Sequence, residues 1–190
     1  MRVVGIVGLP GSGKTEAASV ARDLDVPVVT MGDVIRRACR DRGLAINEDN
    51  LGQVATALRE DGGDAAIAQQ SIPTIESALE DADVVLVDGI RGIAEVDTFN
   101  GAFGDAFTLV SIEVPFEERL ERIRSRGRDP TAEARADLTA RDERELGYGM
   151  GEAMDVANVT IHNTGSIEAF RAVIRDVLEE RPMSRRRVKL

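Results

Sequence analysis

The sequence predicts an α/β fold built on a parallel sheet, and three observations carry that prediction. Short, β-branched apolar runs alternate with helix-forming stretches along the whole chain. A glycine-rich run, Gly8-Leu9-Pro10-Gly11-Ser12-Gly13-Lys14-Thr15, stands between the first of these strands and the first helix. The segment Asp83-Val84-Val85-Leu86-Val87-Asp88-Gly89 has an unbroken apolar core, the pattern of a central strand covered on both faces.

The elements follow in order. Residues Arg2 to Val7 read as a buried strand. Glu16 to Leu24 reads as a helix with Ala17, Val20, Ala21 and Leu24 on one face. Val26 to Thr30 is a second short strand, followed by Gly32-Asp33 and a helix over Val34 to Arg42. Asn47 caps a helix running through Arg59, which Gly62-Gly63 breaks. Asp64 to Glu80 is helical, with Pro73 bending or dividing it. After the strand ending at Asp88, Gly92 to Gly101 looks helical and Phe107 to Val114 is a strand. Pro115 opens a helix reaching Arg126, and Ala132 to Leu146 forms a charged helix. Val156 to His162 is the final expected strand; Ser166 then caps a helix that stops before Pro182.

The glycine-rich run matches G-x-x-x-x-G-K-[ST] at every fixed position, and it has the strand and helix that this phosphate-binding motif needs on either side. Gly8, Gly11 and Gly13 free the backbone to point successive N–H groups at one anion, beside the positive end of the following helix. Pro10 and Ser12 complete the loop. Lys14 can reach the outer phosphates of ATP, and Thr15 can offer a hydroxyl to Mg²⁺. Asp88, ending an apolar strand, is the expected partner of Thr15 in holding Mg²⁺.

Composition narrows the class. At 190 residues, with 43% hydrophobic residues, the chain fits one globular domain. No apolar run reaches the roughly 18 residues of a membrane span, and no signal peptide is expected. Cys39 is the only cysteine; it excludes an internal disulfide, fits a reducing cytoplasm, and is expected to be a buried small hydrophobe. The net charge of −10 disfavours non-specific nucleic-acid binding. Only Lys14 and Lys189 are lysines, the other basic residues being arginine. An acidic, lysine-poor chain with few aromatics reads as halophilic, since salt screens its self-repulsion. The basic Arg185-Arg186-Arg187-Val188-Lys189 end is expected to be disordered.

Arginines supply the remaining candidate chemistry. Arg36 follows Gly32-Asp33, and Arg91 follows Asp88-Gly89. Arg119, Arg122, Arg124, Arg126 and Arg128 crowd the end of one helix, and part of this set is expected to be a solvated face paired with glutamates. Phosphoryl transfer needs cations around the moving group, so Arg126 and Arg128, flanking Gly127, are candidate catalytic residues. His162 is expected to be a satisfied strand-end residue, and Tyr148 an anchor in a flexible stretch.

Met31-Gly32-Asp33-Val34-Ile35-Arg36 with the P-loop resembles nucleoside monophosphate kinases such as adenylate kinase. That resemblance implies that Arg36 holds the acceptor's phosphate. Val87-Asp88-Gly89-Ile90-Arg91 is similar to these kinases' Asp-Gly-x-x-Arg but one residue shorter, which implies the same role for Arg91 less directly. Ala157 to Ser166 resembles the last strand and turn of dephospho-coenzyme A kinases, which implies that Asn163 and Gly165 lie near the donor adenine. Taken in this order the motifs, with Arg141-Asp142-Glu143-Arg144-Glu145-Leu146, are similar to the archaeal P-loop kinase-like proteins of uncharacterised protein family 0200. The resemblance implies a three-layer P-loop NTPase fold of nucleoside monophosphate kinase type. Its five-stranded parallel sheet would have order 2-3-1-4-5, within a single domain over about residues 1–182. It further implies a helical acceptor-binding insertion at about residues 44–75 and a short lid at about 126–136, with residues 183–190 as the basic tail. The expected activity is ATP- and Mg²⁺-dependent phosphoryl transfer to a nucleotide-like acceptor. Asp33 would act as base if the acceptor were a hydroxyl, as in a dephospho-coenzyme A kinase. The alternative from another class is a nucleotide-dependent regulatory ATPase without a small-molecule acceptor.

Overall fold

The computed structural model describes residues 1–125, 132–179 and 186–190. Six strands are present among the described residues: β1 (Arg2–Val7), β2 (Val28–Thr30), β3 (Val84–Asp88), β4 (Phe107–Glu113), β5 (Val159–His162) and β6 (Arg186–Lys189). They form one parallel sheet in the order β2-β3-β1-β4-β5-β6. The helices are α1 (Lys14–Asp23), α2 (Gly32–Asp41), α3 (Glu48–Gly62), α4 (Ala66–Asp81), α5 (Ile93–Phe103), α6 (Phe116–Ser125), α7 (Ala132–Gly147), α8 (Met150–Asp155) and α9 (Ile167–Glu179).

Alternation of side chains across the pleat divides the core into two layers. Val3, Val7, Val85, Val87 and Leu109 face one layer, where Val34, Leu58, Ile75, Phe99 and Met150 bring in α2 to α5 and α8. Val4, Ile6, Leu86, Val110 and Ile112 face the other, against Ala17 and Ala21 of α1 and Phe170 and Ile174 of α9. Phe99 and Phe170 are buried, each worth about 1.5–3 kcal/mol in area removed from water. Leu120 and Leu138 make a smaller cluster that joins α6 to α7.

Three sequence expectations change. The basic end is not wholly disordered: Arg186–Lys189 pairs in parallel with β5, so the sheet has six strands rather than five. The reason is local, because β5 would otherwise leave a row of backbone groups unpaired. Leu190 N then donates to His162 O at 3.3 Å, and Thr164 Oγ1 donates to Leu190 O at 3.0 Å. Pro73 does not divide α4, which runs unbroken through it. Ile67, Ala68, Ser71 and Ile75 anchor that helix in the core, and this burial offsets the lost backbone bond. The stretch around Tyr148, expected to be flexible, instead turns at Gly149 (φ 89°) into the short helix α8, so β5 begins only at Val159.

The strand order sets the site. β1 lies between β3 and β4, with Ile6 opposite Asp88 and Val7 opposite Ser111. The glycine-rich loop, the Asp88 turn and the Asn163 turn therefore all emerge from the carboxyl edge of one sheet, where ligands of such folds bind.

Candidate functional site

The loop after β1 curls so that α1 begins at Lys14. Gly13 has φ 118°, and a Cβ there would lie 2.8 Å from Asn163 Nδ2. This close approach is used: Asn163 is buried, and its amide donates to Ser12 O at 2.9 Å. The β5 turn is thereby stitched to the loop. Arg122 Nη2 in turn donates to Asn163 O at 2.6 Å. Gly13, Arg122, Asn163, Gly165 and Phe170 line a cavity of about 230 Å³ beside the loop, where the sequence expected the donor adenine. Ser12 contributes its backbone here; its own hydroxyl is buried and has no hydrogen-bond partner.

Lys14 Nζ donates to the carbonyls of Gly8 and Leu9. Burial lowers its pKa, while the nearby charges of Asp88 and Glu145 oppose that shift. Thr15 stands exposed on the first turn of α1, and Asp88 ends the strand next to β1. These are hard oxygen donors, and no cluster of three or more potential metal ligands exists among the described residues. A cation here would complete its shell from phosphate oxygens and water, which is the habit of Mg²⁺. Thr15 and Asp88 offer the oxygen chemistry that such an ion takes.

A second brace holds the loop from behind. Arg119, one of the arginines crowded on α6, is 3% exposed. It donates to Pro10 O at 3.0 Å, to Val114 O at 3.1 Å, and to both oxygens of Asp142 on α7 at 2.8 and 2.6 Å. The bidentate fork fits the planar carboxylate and leaves one guanidinium edge for the loop.

Facing Lys14 and Asp88 is a cleft of about 300 Å³. Arg36 from α2, Arg59 from α3 and Arg91 from the β3–α5 turn line it. Arg36 Nη1 donates to Asp33 Oδ1 at 2.7 Å, which places the Asp33 carboxylate on Arg36 at the protein surface. Arg91 pairs with Glu145 of α7. Its backbone N–H donates to Glu95 at 2.6 Å. Glu95 is 3% exposed, and burial raises its pKa against the pull of the Arg91 amide and Arg59. Arg59 lies 3.8 Å from Glu95 and stacks 5.1 Å above the Tyr148 ring. Gly92 permits this assembly, since a Cβ there would come within 2.1 Å of Tyr148 O.

The structure thus brings Lys14, Asp88, Arg36 and Arg91 to one cleft, and Asn163 and Gly165 to the neighbouring cavity. Arg126 and Arg128 lie outside the described residues. The sequence reading gave no site role to Arg59, Glu95, Glu145 or the Arg119–Asp142 brace, although Asp142 and Glu145 stand in the Arg141–Leu146 motif.

Comparison with known proteins gives concordant results. The AAA domain family matches residues 7–136. A UPF0200 protein of Halobacterium salinarum is 53% identical over 94% of this chain and 93% of its own length. A UPF0200 protein of Methanosarcina mazei is 46% identical over 94% of each chain. Among solved structures, TT1252 from Thermus thermophilus aligns with a TM-score of 0.60 at 21% identity, covering 93% of this chain and 97% of that one. Shikimate kinase from Bacteroides thetaiotaomicron aligns at 0.56 and 16% identity, covering 94% and 99%. At these identities the structural likeness speaks for the fold alone, a parallel α/β P-loop architecture.

Proposed function

The chain belongs to the UPF0200 family, and from that premise we propose that it is an ATP- and Mg²⁺-dependent kinase acting on a small, nucleotide-like acceptor. The observation that carries this reading is the cleft itself, which gathers Lys14 and Asp88 with Arg36, Arg59 and Arg91. A nucleotide switch needs the lysine and the aspartate but has no use for the three arginines.

In this reading the loop amides and Lys14 hold the donor phosphates, with Arg122 placed to lie against the base. Thr15 and Asp88 would hold Mg²⁺, which would supply neutralisation of charge on the phosphates. Arg36 and Arg91 align the acceptor in line with the donor, and Lys14 meets charge developing on the bridging oxygen. A phosphate acceptor needs no base, so positioning and charge carry the rate. Arg126 and Arg128 would add positive charge to the transferring group.

A hydroxyl acceptor is the second reading, with Asp33 taking its proton. Asp33 sits on Arg36 beside the cleft, and structural neighbours include shikimate kinases, one of them in complex with shikimate. The test is an acceptor screen with ATP and Mg²⁺ in high salt, reading ADP formation over nucleoside monophosphates, dephospho-coenzyme A, shikimate and an acceptor-free control. Stimulation by one acceptor, lost in Arg36→Ala with ATP binding intact, supports a kinase. Slow hydrolysis indifferent to every acceptor supports the regulatory ATPase.

A further inference from the structure

Helix α7 sends two carboxylates, one turn apart, to two different arginines of the site. Asp142 is buried and grips Arg119 with both oxygens, and through it Pro10 of the phosphate loop. Glu145 meets Arg91 through one oxygen and one nitrogen. Glu145 and Arg91 both line the cleft with Lys14. Their side chains are 17% and 44% exposed. The first carboxylate is an anchor. The second sits where an acceptor's anion would have to bind.

The electrostatics make this a conflict. Asp88 already brings negative charge to the cleft. A phosphate approaching Arg91 would lie beside Glu145, and like charges at that spacing are costly. The Arg91–Glu145 pair touches solvent, so it costs little to open. The Glu95 bond to the Arg91 amide fixes the backbone while the side chain changes partner.

We propose that Glu145 is an internal stand-in for the acceptor's phosphate. Acceptor binding is then an anion exchange on Arg91, which releases the end of α7 from the cleft while Asp142 keeps it anchored to the phosphate loop. This rests on the kinase reading above and sharpens it: the acceptor carries a phosphate group, and an acceptor without one leaves Glu145 in place.

Tyr148 offers a readout. It is the only tyrosine in a chain without tryptophan, and it lies in the turn directly after α7, under Arg59. With the donor side filled by Mg²⁺ and a non-hydrolysable ATP analogue, inorganic phosphate is titrated at constant ionic strength against Tyr148 emission. The wild type gives a saturable change. Glu145→Gln binds phosphate roughly fivefold more tightly or better. Arg91→Ala abolishes the response. A Glu145 with a merely structural role would lower the melting temperature and leave phosphate affinity unchanged or weaker, which overturns the exchange, as does the lack of a saturable response in Glu145→Gln. If Arg36→Ala and Arg91→Ala both bind phosphate like the wild type, the cleft is not an acceptor site and the kinase reading falls with it. If the arginine variants lose binding but Glu145→Gln does not gain it, only the exchange falls.

Discussion

Arg119 and Arg91 flank the same site and are held in opposite ways. Arg119 is buried and makes four bonds, two to backbone carbonyls and two to Asp142. Arg91 is half exposed and its guanidinium holds one carboxylate. The same contrast separates two walls of the site: a rigid one, the phosphate loop, which Asn163 and Arg119 lock, and a loose one, where Arg36 and Arg91 each rest on one carboxylate. Under the proposed function, a wall that binds one invariable triphosphate gains from being rigid. One that must admit, hold and release an acceptor gains from partners that let go.

The largest expected effect tests whether the rigid wall carries the chemistry. Lys14→Ala should lower turnover by about 10²–10³-fold and abolish tight ATP binding, measured by calorimetry and ADP release. Next, Arg119→Ala leaves the Asp142 carboxylate buried and unpaired, and should cost about 3–5 kcal/mol in urea unfolding. Arg36→Ala, on the loose wall, should stay within about 1 kcal/mol of wild type. If the two variants cost the same, the contrast is broken. Gly92→Ala forces apart the β3–α5 turn and Tyr148, and should cost about 1–3 kcal/mol. It should also weaken acceptor binding while ATP affinity stays unchanged, sharpening the division between walls.

The smallest effect is a pH slope. The Glu95 pKa is raised by burial, so the folded state holds its proton more firmly than the unfolded chain. Its contribution is fully present below the ordinary carboxylate pKa and is lost as pH rises to the raised value. Glu95→Gln should remove that decline, seen as a flatter dependence of the urea midpoint on pH through the mildly acidic range.

The sequence made the rigid wall legible because its signals are local. Gly8 to Thr15, the strand before it and the apolar run ending at Asp88 each declare themselves within a few residues. The loose wall was only half legible. Arg36 and Arg91 follow recognisable turns, but Arg59 reaches the cleft from α3 and Glu145 from α7, 54 residues beyond Arg91. Nothing in the spacing of charges along α7 distinguishes Asp142, which is buried, from Glu143, which is exposed. Only the packing of α7 against α6, through Leu120 and Leu138, decides which carboxylate points inward. β6 was missed because four residues rich in arginine carry no apolar strand signature; an adjacent open edge recruited them.

That recruitment changes how the sheet ends. A parallel sheet has two borders where another chain could add itself as a further strand. At one border β2 is only three residues long, too short to template much pairing. At the other, β6 shields β5 and puts exposed Arg187 and Lys189 on the outermost strand, like charges that would face one another if two copies met edge to edge. Of the chain's two lysines, Lys14 thus stands at the phosphate loop, and Lys189 adds its charge to an edge where like charges oppose pairing.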